Sequence, residues 1–118
     1  MTSGNLVWAT KAREAVWIAA PAGRVDEATA TEFAERLVTE IGHAADKGAS
    51  RLAIDLSEIE YMSSRGLRGL TLAERKSGER GVAIVLVSPN EIMREILAIS
   101  RYDKVFPVFD SIEEVLTA

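Results

Sequence analysis

Two short, almost wholly apolar runs constrain this chain most: Arg51 to Leu56 (Arg-Leu-Ala-Ile-Asp-Leu) and Val82 to Val87 (Val-Ala-Ile-Val-Leu-Val). Each is bounded by small or polar residues and is too brief for an ordinary helix, so both read as central strands buried on two faces. Strands of that kind need helices to cover them and to carry the chain back, and the intervening segments have helical spacing. From Asp26 onward the apolar positions Ala30, Phe33, Ala34, Leu37, Val38, Ile41, Ala44 and Ala45 follow the i, i+3, i+4, i+7 rule, up to a stop at Gly48. A second helix carries Leu67, Leu70 and Ala73 before Gly78 and Gly81, and either Ser63 or Ser64 serves as its cap.

The ends complete the pattern. Leu6 to Thr10 and Ala15 to Ala20 are β-type runs that read as a hairpin joined by the polar Lys11 to Glu14, with Pro21 and Gly23 as punctuation. Ser88-Pro89-Asn90-Glu91 is a helix start, followed by an apolar face of Ile92, Met93, Ile96, Leu97 and Ile99. A short strand is expected over Val105 to Phe109, at a sheet edge because Pro107 lacks an N–H to give. A last helix, Ile112 to Leu116, is capped by Asp110 or Ser111. The order β-β-α-β-α-β-α-β-α predicts a mixed, mostly parallel α/β sheet of four to five strands with four helices packed on it. A length of 118 residues with 47% hydrophobic side chains suits one domain over 1–118, with an ordered core of about 5–117.

Much chemistry is excluded by what the chain lacks. With one histidine, His43, and no cysteine, neither a zinc site nor a nucleophile–base pair can be assembled, and His43 reads as a surface residue of the first helix. There is no phosphate-binding glycine loop. Trp8 and Trp17 lie in strand-like runs with few basic neighbours and read as core or hairpin packing. Fourteen Lys and Arg against 18 Asp and Glu give a net charge of −4 without a basic patch, which argues against nucleic acid. No secretion signal and no apolar run near the roughly 20 residues of a membrane span is present, so the expected location is the cytoplasm, with no membrane contact and no cofactor or metal. The chain is expected not to be an enzyme.

One segment stands apart. Ser57 to Leu70 (Ser-Glu-Ile-Glu-Tyr-Met-Ser-Ser-Arg-Gly-Leu-Arg-Gly-Leu) joins a buried strand to a helix through paired hydroxyls. A serine at a helix start is well placed to carry a phosphate, because free N–H groups and the positive dipole end favour an anion there. It is equally well placed to be only an N-cap.

Around this segment the chain resembles the STAS family, the sulfate-transporter and anti-sigma-factor-antagonist domains, over most of its length. Gly23-Arg24-Val25-Asp26 is similar to the family's Gly-x-Leu-Asp entry to the first helix, and Leu52 to Ser57 to its Leu-Asp-Leu-Ser strand. Ile59 to Leu67 resembles the signature loop, usually hydrophobic-Asp-Ser-Ser/Thr-Gly-Leu. Val85 to Pro89 and Ile99 to Ser111 resemble the later strand, helix and Leu-Phe-x-Val-Tyr-Asp-Ser ending. The resemblance implies a STAS-like fold and partner switching: an unphosphorylated antagonist binds an anti-sigma-factor serine kinase, the kinase phosphorylates the loop, and a phosphatase reverses it.

The loop departs from the commonest pattern. Aligned on Gly66-Leu67, the usual aspartate is Ser63, and the residue before the glycine, the usual phosphoacceptor, is Arg65. A branch with Ser-Ser-Ala-Gly-Leu-Arg matches better, which makes Ser64 the expected acceptor and Ser63 the second. The partner-binding set implied by the resemblance is Asp26, Ser63, Ser64, Arg65, Gly66, Leu67 and Arg68. Arg65 and Arg68 suit an acidic partner surface or the added phosphate. Asp26 suits a kinase contact or a helix cap, and Asp55 a loop-backbone contact. The alternative function is a non-switching STAS subunit or scaffold of a signalling or lipid-transport complex. The oligomeric state is left open between monomer and weak dimer.

Overall fold

The computed structural model describes residues 6–118. A hairpin of β1 (Val7–Arg13) and β2 (Val16–Val25) opens the chain, followed by α1 (Ala30–Asp46) and β3 (Arg51–Asp55). Next come β4 (Ile59–Met62), α2 (Ser64–Glu79), β5 (Ala83–Val87), α3 (Glu91–Ser100), β6 (Val108–Phe109) and α4 (Ile112–Thr117), with a 3-10 turn over Tyr102–Lys104. The strands lie in the order β1-β2-β3-β5-β6, with β4 beside the end of β2. Among the described residues only β1–β2 is antiparallel; β2–β3, β3–β5, β5–β6 and β2–β4 are parallel. The mostly parallel sheet with four helices is thus as the sequence predicts, with one further strand.

That further strand is β4. Only Ile59 and Met62 of its four residues are buried, so it carries no apolar run. It forms because β2 is ten residues long and continues past Pro21. The pairing of β2 with β3 ends at Ala19, and its pairing with β4 begins at Gly23, so Pro21 falls in the gap between these two partners, paired on its other side with Trp8 of β1. The hairpin connection is also tighter than the four-residue segment Lys11 to Glu14 suggests: both strands run up to Glu14-Ala15, and Glu14 takes a left-handed φ of 54°.

One face of the sheet carries the main core, in which Phe33, Leu37, Leu52, Ile54, Leu70, Leu86, Met93, Leu97 and Phe106 are enclosed. The opposite face holds a smaller cluster of Val16, Ile18, Ala53, Val85, Val87 and Val115, covered in part by Ile112 and Leu116 of α4. Helix ends follow local chemistry. Asn90 Oδ1 accepts from Met93 N–H at 2.9 Å, while its amide donates to the carbonyls of Ser57 and Ile59, stitching α3 to the start of β4. Ser111, not Asp110, caps α4. Two expected apolar positions on α3 point outward: Ile92 is 50% and Ile99 83% exposed, because the face turned to the core is that of Met93 and Leu97, with Ile96 packed at its margin. Val38 on α1 is likewise exposed.

Glu40 is the opposite case, a carboxylate enclosed completely on α1. It accepts from Trp17 Nε1 at 2.8 Å and from Arg36 Nε at 2.6 Å, and His43 Nδ1 lies 3.2 Å away. Burial pushes its pKa up, but the bonds from Trp17, Arg36 and His43 outweigh that and hold it below the ordinary glutamate range. Arg36 also lies over the Trp8 ring at 5.0 Å, and Trp8 stacks on Phe33. Both tryptophans therefore pack between the hairpin and α1, and His43 stays half exposed on the helix surface.

Candidate functional site

Four segments converge at the C-terminal end of β2: Arg24-Val25 of that strand, the turn Asp26–Thr29, the end of β4, and the first turn of α2. The β4–α2 junction is tied to β2 by Ser63 N–H, which donates to the Val25 carbonyl at 2.8 Å. Ser63 has extended backbone angles and its hydroxyl accepts from Gly66 N–H at 3.3 Å, so it is the N-cap of α2. Its side chain is enclosed, at 9% exposure. Ser64 is the first residue inside the helix and is exposed. The two hydroxyls that the sequence leaves equivalent are therefore different: one is consumed by capping and the other faces solvent.

Gly66 is set by space rather than by backbone angle. A Cβ there would lie 2.6 Å from Val25 Cγ1 and 2.7 Å from Met62 Cγ, well inside contact distance. Leu67 is 7% exposed and belongs to the main core. Gly66 and Leu67, included in the expected partner-binding set, thus face inward. They shape the loop while offering no side chain to a partner. Arg65 and Arg68 are exposed, and Arg65 Nη1 reaches Glu27 Oε1 at 2.8 Å, linking α2 to the turn before α1. Among the described residues Arg68 has no ion-pair partner.

Asp26 sits in that same turn. Its Oδ1 accepts from Ala28 N–H at 3.0 Å and its Oδ2 lies 3.5 Å from Arg24 Nε. It orders the turn ahead of α1, whose N-cap residue is Thr29. Thr29 donates to the Arg24 carbonyl at 2.6 Å and accepts from Asp26 N–H, which locks the approach to the helix. Asp55, at the end of β3, accepts from Ser57 N–H at 2.9 Å, the loop-backbone contact expected of it. Sequence reasoning missed three members of the surface: Glu27, Arg24 and Tyr61, the last two forming a cation–π pair at 4.6 Å. Their juxtaposition depends on β4 pairing with β2, and no local pattern announces it.

The arrangement is a shallow, mixed-charge surface with one exposed serine hydroxyl, that of Ser64, and the exposed ring of Tyr61. Among the described residues no cluster of His, Cys, Asp or Glu is suited to a metal, and no helix is long and apolar enough to cross a membrane.

A sequence model of the STAS domain matches residues 8–115, and the chain belongs to the STAS family. The putative anti-sigma factor antagonist BtrV of Bordetella bronchiseptica is 34% identical over 85 residues, covering 72% of this chain and 73% of that protein. The anti-sigma-F factor antagonist RsfB of Mycobacterium tuberculosis is 30% identical over 95 residues, covering 80% and 74%. The crystal structure of a putative anti-sigma factor antagonist from Thermotoga maritima superposes with a TM-score of 0.79 at 24% identity, covering 93% of this chain and 92% of that one.

Proposed function

We propose that this protein is an anti-sigma factor antagonist, acting in the cytoplasm by binding an anti-sigma-factor serine kinase and being switched by phosphorylation of Ser64. Its relatives' names support the antagonist role. The observation that carries the switch is the exposed hydroxyl of Ser64 at the first turn of α2, beside the enclosed and already bonded Ser63. In the unphosphorylated form Ser64, Arg65 and Arg68, with Asp26 and Glu27 across the junction, make up the docking surface.

The kinase transfers the γ-phosphoryl group of ATP to Ser64 Oγ; the hydroxyl proton is lost and ADP leaves. The product carries about −1.5 to −2 additional charge at a site that needs no refolding to change its affinity for a partner. A phosphatase hydrolyses the ester and returns the hydroxyl. The protein is substrate and ligand in this cycle, and its own residues supply recognition rather than catalysis.

Incubation with the cognate kinase and ATP, followed by mass-spectrometric mapping, is expected to place one phosphate on Ser64. Ser64→Ala is expected to abolish it. Phosphate on Ser63 with Ser64 unmodified, or modification only elsewhere in the chain, contradicts the assignment.

A further inference from the structure

Arg68 lies four residues after Ser64 on α2, so the two occupy one face of the helix. Helical side chains lean toward the N-terminus, which directs the Arg68 side chain back over the turn that carries Ser64. The two arginines of this turn differ in engagement. Arg65 is held by Glu27 at 2.8 Å and stands one residue from Ser64, about 100° away around the helix. Arg68 is exposed and has no ion-pair partner among the described residues. With Arg65, Ala30, Ala34, Glu35 and Leu72 it lines a shallow groove between α1 and α2, and Glu35 makes no ion pair with it.

We propose that Arg68 is the intramolecular receptor of a phosphate on Ser64, so that modification turns a free guanidinium at this groove into an internal ion pair. The inference rests on Ser64 being the modified residue. Phosphoserine preceding arginine by four residues is the favourable order for a helical ion pair, and guanidinium matches phosphate geometry with two parallel N–H donors. Phosphorylation then does two things at once: it adds an anion, and it withdraws the cation that an acidic partner surface would use. Arg65 keeps Glu27 in both states and holds the turn before α1 in place.

The test uses the full chain with phosphoserine inserted at position 64 during synthesis, and phosphorus NMR to follow the second ionisation of the phosphate, near pH 6 when unperturbed. The other charged side chains of the surrounding segments are Arg24 at the end of β2, Asp26 and Glu27 before α1, Glu35 across the groove and Glu60 on β4. They are common to every variant compared. Arg68→Gln is expected to raise the ionisation by about half a pH unit, roughly a threefold change in proton affinity. Arg65→Gln is expected to move it by less than half as much. An unchanged titration in Arg68→Gln overturns the proposal, as does an equal or larger shift in Arg65→Gln. Because the phosphate is introduced without a kinase, this result is independent of whether a kinase modifies Ser64, and a null titration leaves the mass-spectrometric mapping unaffected.

Discussion

Glu40→Ala is expected to lower stability by about 3 kcal/mol, a drop in Tm of roughly 10 °C for a chain of this size, while leaving the β4–α2 loop intact. The cost has three sources. Trp17 Nε1 loses its acceptor at 2.8 Å, Arg36 loses a contact at 2.6 Å, and the space of an enclosed side chain is left unfilled. Glu40→Gln keeps an acceptor for the indole and fills the volume, so its cost is smaller, about 1–2 kcal/mol. The pH dependence has a definite sign. Because the folded carboxyl is held below the ordinary range, its contribution is present at neutral pH. It is lost as the pH falls below the ordinary glutamate value, about 4.3, and through the lower folded one. Thermal melts of wild type and Glu40→Gln should therefore converge in acid, and a gap that stays constant from pH 7 down to about pH 3 refutes this account of Glu40.

Gly66→Ala is expected to destabilise by about 1–3 kcal/mol, and Gly66→Val by more. Two effects oppose each other. Replacing a helical glycine by alanine ordinarily stabilises by roughly 0.5–1 kcal/mol. Here the added Cβ would lie 2.6 Å from Val25 Cγ1 and 2.7 Å from Met62 Cγ, inside a junction fixed by the Ser63–Val25 hydrogen bond, so overlap wins. Gly42→Ala in α1 is the control: nothing lies within 4 Å of its Cβ, and it should show the ordinary gain. If Gly66→Ala melts at or above the wild-type temperature, the close packing described for this junction is refuted. A partner-binding defect in a Gly66 variant consequently reports on the loop's fold before it reports on contact.

The central strands were legible because their environment is nearly uniform: Leu52 and Leu86, enclosed completely, sit in runs that need no alternation. Helix α1 ends as its composition predicts, with Gly48 at a φ of 73° after Lys47. What escaped was whatever depends on distant partners. The burial of Glu40 is decided by Trp17, 23 residues earlier on β2. The existence of β4 is decided by how far β2 extends. On α3 the apolar periodicity covers a wider arc than the sheet can bury, so Ile92 and Ile99 share the core's spacing without reaching the core. The site followed the same division: the loop was legible as a segment, but Ser63 and Ser64 were separable only once the extended backbone of Ser63 and its bond to Gly66 N–H identified the cap.

The central claim is that Ser64 is the switch between partner-bound and free protein. Calorimetric titration of the cognate anti-sigma-factor kinase with the unmodified chain and with the chain carrying phosphoserine at position 64 tests it directly. The account predicts binding by the unmodified chain and an affinity at least tenfold weaker, about 1.4 kcal/mol or more, for the phosphorylated one. Equal affinities, or tighter binding by the phosphorylated chain, would contradict it.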